Sequence, residues 1–168
     1  LLEQAEQQWL IDTFIWAVEH FDAAFFTKHT QIILPTVAHF PDSVSSIEEM
    51  ATKVFVRVRD YAGMSAWPIQ LVAPQQLQPQ VFPHFEFAEH LRGEQSQLIV
   101  PPSHTINISF NPNQINQPQD LVASFAGTLA TVLIHHVGVL PPGGKDYLPQ
   151  AADALACFLG FGVMMSNT

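Results

Sequence analysis

Leu121-Val-Ala-Ser-Phe-Ala-Gly-Thr-Leu-Ala-Thr-Val-Leu-Ile-His-His-Val-Gly-Val-Leu140 contains no Asp, Glu, Lys or Arg, and Pro141-Pro-Gly-Gly144 closes it. Such a run is either a membrane span or a helix buried on every side. The break is followed by Lys145 and Asp146, and no basic cluster marks a cytoplasmic flank, so the expectation is a core helix and no membrane. A second apolar stretch, Gln150 to Met165, follows the turn. Two such segments joined this closely predict a buried helical hairpin, and everything upstream has to pack around it.

Working outward, residues 3–27 have helical periodicity. Leu10, Phe14, Ala17, Phe21 and Phe25 recur at three- and four-residue steps, widened by Trp9 and Trp16. Ser45 and Ser46, each followed three residues later by a Glu, mark a capping box. It opens a helix with Ile47, Met50, Val54, Val58 and Tyr61 on one face and an end near Gly63. The middle reads as strands: Ile69–Val72, Val81–Phe87 (an edge strand, because of Pro83), Gln97–Val100 and Thr105–Phe110. Gln75–Gln80 is a Gln/Pro connector, and Asp120 or a residue just before it caps the long helix. The predicted fold class is α+β: one domain over 1–168, with N-terminal helices, a small mostly antiparallel sheet and a C-terminal pair of buried helices.

Composition removes several functions. The chain is 48% hydrophobic and 12% charged, so disorder is excluded. Six Lys+Arg against fifteen Asp+Glu give a net charge of −9, which offers nothing to a phosphate backbone, and no nucleic-acid partner is expected. The lone Cys157 rules out an internal disulfide and a Cys-rich metal framework, and its apolar neighbours predict an inert core thiol. Leu1-Leu-Glu-Gln-Ala-Glu6 carries acid where a secretory signal carries base, which gives a cytoplasmic expectation. The low charge favours a homo-oligomer.

Ala130-Thr-Val-Leu-Ile-His135 and Ala151-Ala-Asp-Ala-Leu-Ala-Cys-Phe-Leu-Gly-Phe-Gly162 are the informative motifs, with Ile33-Leu-Pro-Thr36, His39-Phe-Pro-Asp42 and Asp60-Tyr-Ala-Gly63 upstream. Together they resemble a family of small bacterial zincin-like proteins, and the resemblance covers most of the chain. Members carry a His-Glu-x-x-His helix, a loop, and a helix with Glu-x-x-x-Asp before an aliphatic Gly-Phe-Gly run. In that motif two His four apart share a helix face and hold zinc, while the Glu takes a proton from the metal-bound water.

The resemblance puts Thr131 where the first His belongs, Val132 at the general base and His135 at the second His. Asp153 matches the family's Asp, and the third-ligand Glu falls on Pro149, or on Gln150 with a one-residue shift. An isopropyl group accepts no proton, and loss of a general base alone removes roughly 10²–10⁴ in rate. The resemblance thus implies a degenerate pseudo-metallopeptidase with no catalytic residue and no cofactor, serving as a binding or structural module. Its partner is a protein or peptide, paired along the edge of the Thr105–Phe110 strand. The alternative is a metal-dependent hydrolase whose zinc site is rebuilt from His135 and Asp153 with His136 or His104.

The residues carry plainer expectations beside these. His135 and His136 point about 100° apart on a helix and cannot chelate one metal together; a hydrogen-bonded His at a helix C-terminus is expected. His84 and His90, with Glu86 and Glu89 between, read as a solvated loop. Asp153 is expected to bond to backbone N–H or to His135, and Gly160 and Gly162 to permit close helix packing.

Overall fold

The central element is α4 (Pro118–Val137), which carries most of the charge-free run, and ten of its residues are buried. The computed structural model describes residues 1–168. Pro118 starts the helix, because its fixed φ suits a first turn and its missing N–H costs nothing there. Asp120 sits in that first turn and makes no cap bond; the N-cap position is Gln117. Gly138, at φ 73, ends the helix in the left-handed conformation. α4 and the stretch Gly144–Ser166 are each long and apolar enough to cross a membrane, and 56% of the α4 window is buried against the rest of the chain.

α3 (Ile47–Tyr61) and α5 (Leu148–Ala156) lie along α4. Phe55 of α3 meets Phe125 of α4 edge-on, with ring centroids 5.5 Å apart. α3 starts as its sequence indicates: Ser46 Oγ accepts from Glu49 N–H. The Ser45 hydroxyl and N–H donate to the Glu49 carboxylate and hold its pKa down to about 2. Its buried residues are Ala51, Phe55 and Val58, while Ile47 of the predicted stripe is exposed. The C-terminal helical pair is therefore present, with α3 as a third partner.

The helix expected over 3–27 is two helices, α1 (Gln4–His20) and α2 (Ala23–His29). Asp22 between them has φ 61, and its carboxylate accepts from Phe25 N–H. The buried face matches the expected stripe at Ala17 and Phe21 and departs from it elsewhere. Thr13, Trp16 and Ala17 are buried, whereas Leu10 and Phe14 are 43% and 50% exposed. Indole anchoring outweighs the aliphatic periodicity: Trp9 Nε1 donates to Pro142 O at 2.8 Å, and Trp16 meets Phe21 edge-on at 4.8 Å.

The strands form two separate ladders. β1 (Ile69–Leu71) pairs in parallel with β4 (Ile106–Ile108), in the register Ile69 to Ile106. β2 (Glu86–Phe87) pairs antiparallel with β3 (Leu98–Val100), with an irregularity between Glu86 and Phe87. The mostly antiparallel expectation therefore holds for one ladder only. Val81–Phe87 shrinks to two paired residues, as Pro83 has no N–H for a longer ladder.

One loop residue ties three segments together. Arg92 is 2% exposed; its Nε donates to Phe21 O and its Nη1 to Ala62 O, both at 3.1 Å. Phe21 and Ala62 are the C-cap residues of α1 and α3, so the guanidinium sits at the negative ends of two helices. The guanidinium carbon lies 4.6 Å from the Phe25 ring centroid, and the main-chain N–H of Arg92 donates to the Asp22 carboxylate. Burial pushes the pKa of Arg92 down to about 10, opposed by the Asp22 charge, and the group stays cationic at neutral pH.

Candidate functional site

The positions that the resemblance matches to the metal motif lie towards the C-terminus of α4 (Thr131, Val132, His135) and on α5 (Pro149, Gln150, Asp153). Thr131 is exposed, and its hydroxyl donates back to Gly127 O at 2.9 Å. Val132 is 6% exposed and belongs to the hydrophobic core. His135 is exposed, and its ring lies 5.6 Å from Phe82. Pro149 and Gln150 are exposed in the first turn of α5.

Asp153 is also exposed, and it bonds neither to backbone N–H nor to His135. The groove that contains His135 does not include it. His135 and Asp153 therefore do not converge, and no three His, Cys, Asp or Glu side chains come within reach of one metal ion. A zinc site needs three protein donors around an open position, and Thr131, Val132, His135 and Asp153 do not fit that requirement as they are arranged here.

The structure gathers a different set around the end of α4. An open groove of ≈ 710 Å³ lies along residues 82–87 and 135–137, lined by His84, Glu86 and His135 together with Phe82, Phe87 and Ile99. His84 Nε2 and Glu86 Oε1 are 3.7 Å apart and both side chains are exposed, but the expected loop is paired as β2 from Glu86 and anchored by the buried Phe85. His90 is elsewhere, 3.7 Å from the Asp22 carboxylate.

His136 is the enclosed member. Its ring stacks on Phe85 at 4.4 Å and meets Trp67 and Phe87 edge-on at 5.0 and 5.8 Å. Of the two histidines it is therefore His136 that is partly buried, and its partners are rings in place of hydrogen bonds. Burial lowers its pKa below the usual imidazole value, and the nearby His84 acts in the same direction, against Glu86. The folded state thus favours the neutral ring. Protons bind the unfolded chain more readily, so stability is complete above about pH 6.5 and declines as pH falls below it. Thermal midpoints measured from pH 7 to 5 should fall less in His136→Phe than in the parent chain; equal slopes would remove His136 as the cause.

Cys157 is exposed, contrary to the expected core thiol. Partial burial and the Asp153 charge raise its pKa, so the thiolate that would react is scarce. Of the two glycines in Gly160-Phe-Gly162, only Gly160 permits a close approach. Its φ is 110, and its carbonyl accepts from Ile33 N–H at 2.9 Å.

The edge of β4, expected to take an extended partner, carries the most specific polar contact. Ile106 N–H and Ile108 O bond towards the β1 side, so Asn107 turns its N–H and C=O to the opposite edge. Both are met by one side chain: Gln80 Oε1 accepts from Asn107 N–H at 3.1 Å, and Gln80 Nε2 donates to Asn107 O at 2.6 Å. His104 Nε2 lies 2.8 Å from Val81 O, which holds the same segment against the strand. His104 is thus committed here and is no partner of His135.

Searched against family models, curated proteins and solved structures, the chain matches none. Sequence reasoning missed two residues that matter here, Arg92 and Gln80. Neither has a sequence signal, because each acts through backbone groups distant in the chain, at positions 21, 62 and 107.

Proposed function

We propose that this chain is a non-catalytic, zincin-like binding domain that takes an extended peptide segment along the outer edge of β4. The observation that carries this reading is the Asn107–Gln80 pair: an edge whose N–H and C=O are both satisfied by a carboxamide is complementary to a peptide group, which has the same donor and acceptor. Flanking Thr105 and Ser109 leave their N–H groups without a backbone partner, which lengthens the available edge to three alternate residues. Against catalysis, the position of the general base is a core valine and the neighbouring hydroxyl is spent on its own helix.

The test combines metal content with peptide binding. After zinc loading and dialysis, the purified chain is expected to hold well under one zinc per molecule. It should bind the fluorescein-labelled capped peptide Thr-Val-Thr-Val-Thr-Val and leave it uncleaved. Stoichiometric zinc that disappears in His135→Ala, together with peptide cleavage, would establish the rebuilt hydrolase in its place.

Restoring the motif on α4 should not restore the metal. Thr131→His with Val132→Glu is expected to bind no zinc in calorimetric titration, since no carboxylate stands at 149 or 150. The same pair should cost about 2–4 kcal/mol in urea unfolding, because Glu at 132 buries a carboxyl in the core. A variant as stable as the parent and loaded with zinc would contradict both statements.

A further inference from the structure

The Gln80 side chain does more than shield an edge: we infer that it is an intramolecular latch that competes with the peptide for Asn107 and keeps the β4 edge closed until it is displaced. This rests on the edge reading above and adds a means of regulating it.

The argument begins with stereochemistry. In a strand, successive residues send their main-chain groups to opposite edges, so a chain pairing with the outer edge of β4 must bond to Asn107 through both groups. Gln80 already makes both bonds, at 3.1 and 2.6 Å. A peptide and Gln80 therefore exclude each other at this residue.

The second point is the backbone that carries the latch. Gln80 lies between Pro79 and Val81 in a stretch with no regular structure from Leu77 to Phe85, and Leu77 and Val81 are 45% and 82% exposed. Release of Gln80 therefore breaks no ladder. Beside the latch the stretch is held by Val81 O to His104 and by Phe82 against His135, and its far end is fixed by Phe85, which is buried against Trp67 and His136. Phe82 also lines the groove at the end of α4, so a released strap opens the β4 edge and alters one wall of that groove in the same movement.

The third point is strength. Two neutral hydrogen bonds at an exposed site close a side chain only modestly, and the measured affinity of a competitor falls by the fraction of molecules in which the latch is open. Opening it permanently should therefore tighten peptide binding about tenfold.

Two variants test this. Gln80→Ala removes both bonds. Gln80→Glu keeps the shape but sets a carboxylate oxygen against Asn107 O, so it opens the latch without shortening the side chain. Both variants are expected to speed hydrogen exchange at the Asn107 amide about tenfold and to bind the labelled Thr-Val-Thr-Val-Thr-Val peptide about tenfold more tightly than the parent chain. A probe N-methylated at every residue has no N–H for either edge and should bind none of the three proteins.

Unchanged exchange at Asn107 in both variants would overturn the latch. So would faster exchange with equal peptide affinity in all three proteins, although the edge reading would then survive. If exchange rises and the probe still binds nothing, or if the N-methylated probe binds as well as the parent probe, the edge reading itself falls and the latch falls with it.

Discussion

Replacing Arg92 by Ala is expected to cost about 3–5 kcal/mol of unfolding free energy, as much as removing a core aromatic ring. The guanidinium is buried, bonds to two carbonyl oxygens that end different helices, and lies over the Phe25 and Phe158 rings. Truncation leaves both carbonyls buried without a donor, each worth about 1–3 kcal/mol, and a cavity beside the rings. Arg92→Lys should recover only part of the loss. One ammonium on a flexible stem keeps the charge but does not reproduce the fixed fork that reaches Phe21 O and Ala62 O together. The measurement is the urea midpoint at pH 7 for the parent, Ala and Lys chains. A loss below about 1 kcal/mol for Arg92→Ala would mean that water replaces the guanidinium at both carbonyls.

Gly160→Ala should be nearly as damaging, at about 3–4 kcal/mol. The residue has φ 110, a conformation that side chains with a Cβ rarely adopt, and a Cβ built there lands on the Gln31 carbonyl oxygen. That oxygen belongs to backbone, so it has no rotamer to swing away. The clash also strains the bond from Ile33 N–H to Gly160 O, which fastens residues 31–33 to the last turns of the chain. Gly162→Ala is the matched control: its Cβ would meet nothing closer than Cys157 at 3.8 Å, and alanine in a helix gains up to about 1 kcal/mol over glycine. Unfolding of the two variants should therefore shift in opposite directions. Equal shifts would show that the approach of residues 30–31 to Gly160 does not constrain the fold.

Both predictions concern residues whose importance lies in what distant backbone does near them, and this divides what was legible in the sequence from what was not. The absence of charge from Leu121 to Leu140 and the Pro-Pro-Gly-Gly break specified α4 and its buried partner. Hydrophobic burial depends on composition and period, and both are local properties of the chain. The capping residues of α3 were legible for a similar reason, since Ser46 and Glu49 bond within one turn. That Thr131 and Val132 bring neither an imidazole nor a carboxylate to α4 could also be read directly, whatever surrounds them.

The periodicity of α1 misled where long-range anchors competed with it: Trp9 is tied to Pro142 O, Leu10 is largely exposed, and Phe14 is half-exposed at the edge of the Phe26 and Phe158 rings. The direction of the β1–β4 pairing, the exposure of Asp153 and Cys157, and the separation of His135 from Asp153 belong to the same class.

By itself, then, the sequence determined the α+β class, the buried helical pair and the chemical groups lacking on α4. Tertiary structure alone decided which helix faces are covered, how the strands pair, and that Arg92 and Gln80 satisfy main-chain groups 30, 71 and 27 residues away. The physical reason is that a backbone donor or acceptor is identical at every residue, so which one a side chain meets is fixed only when the packed chain brings the two together.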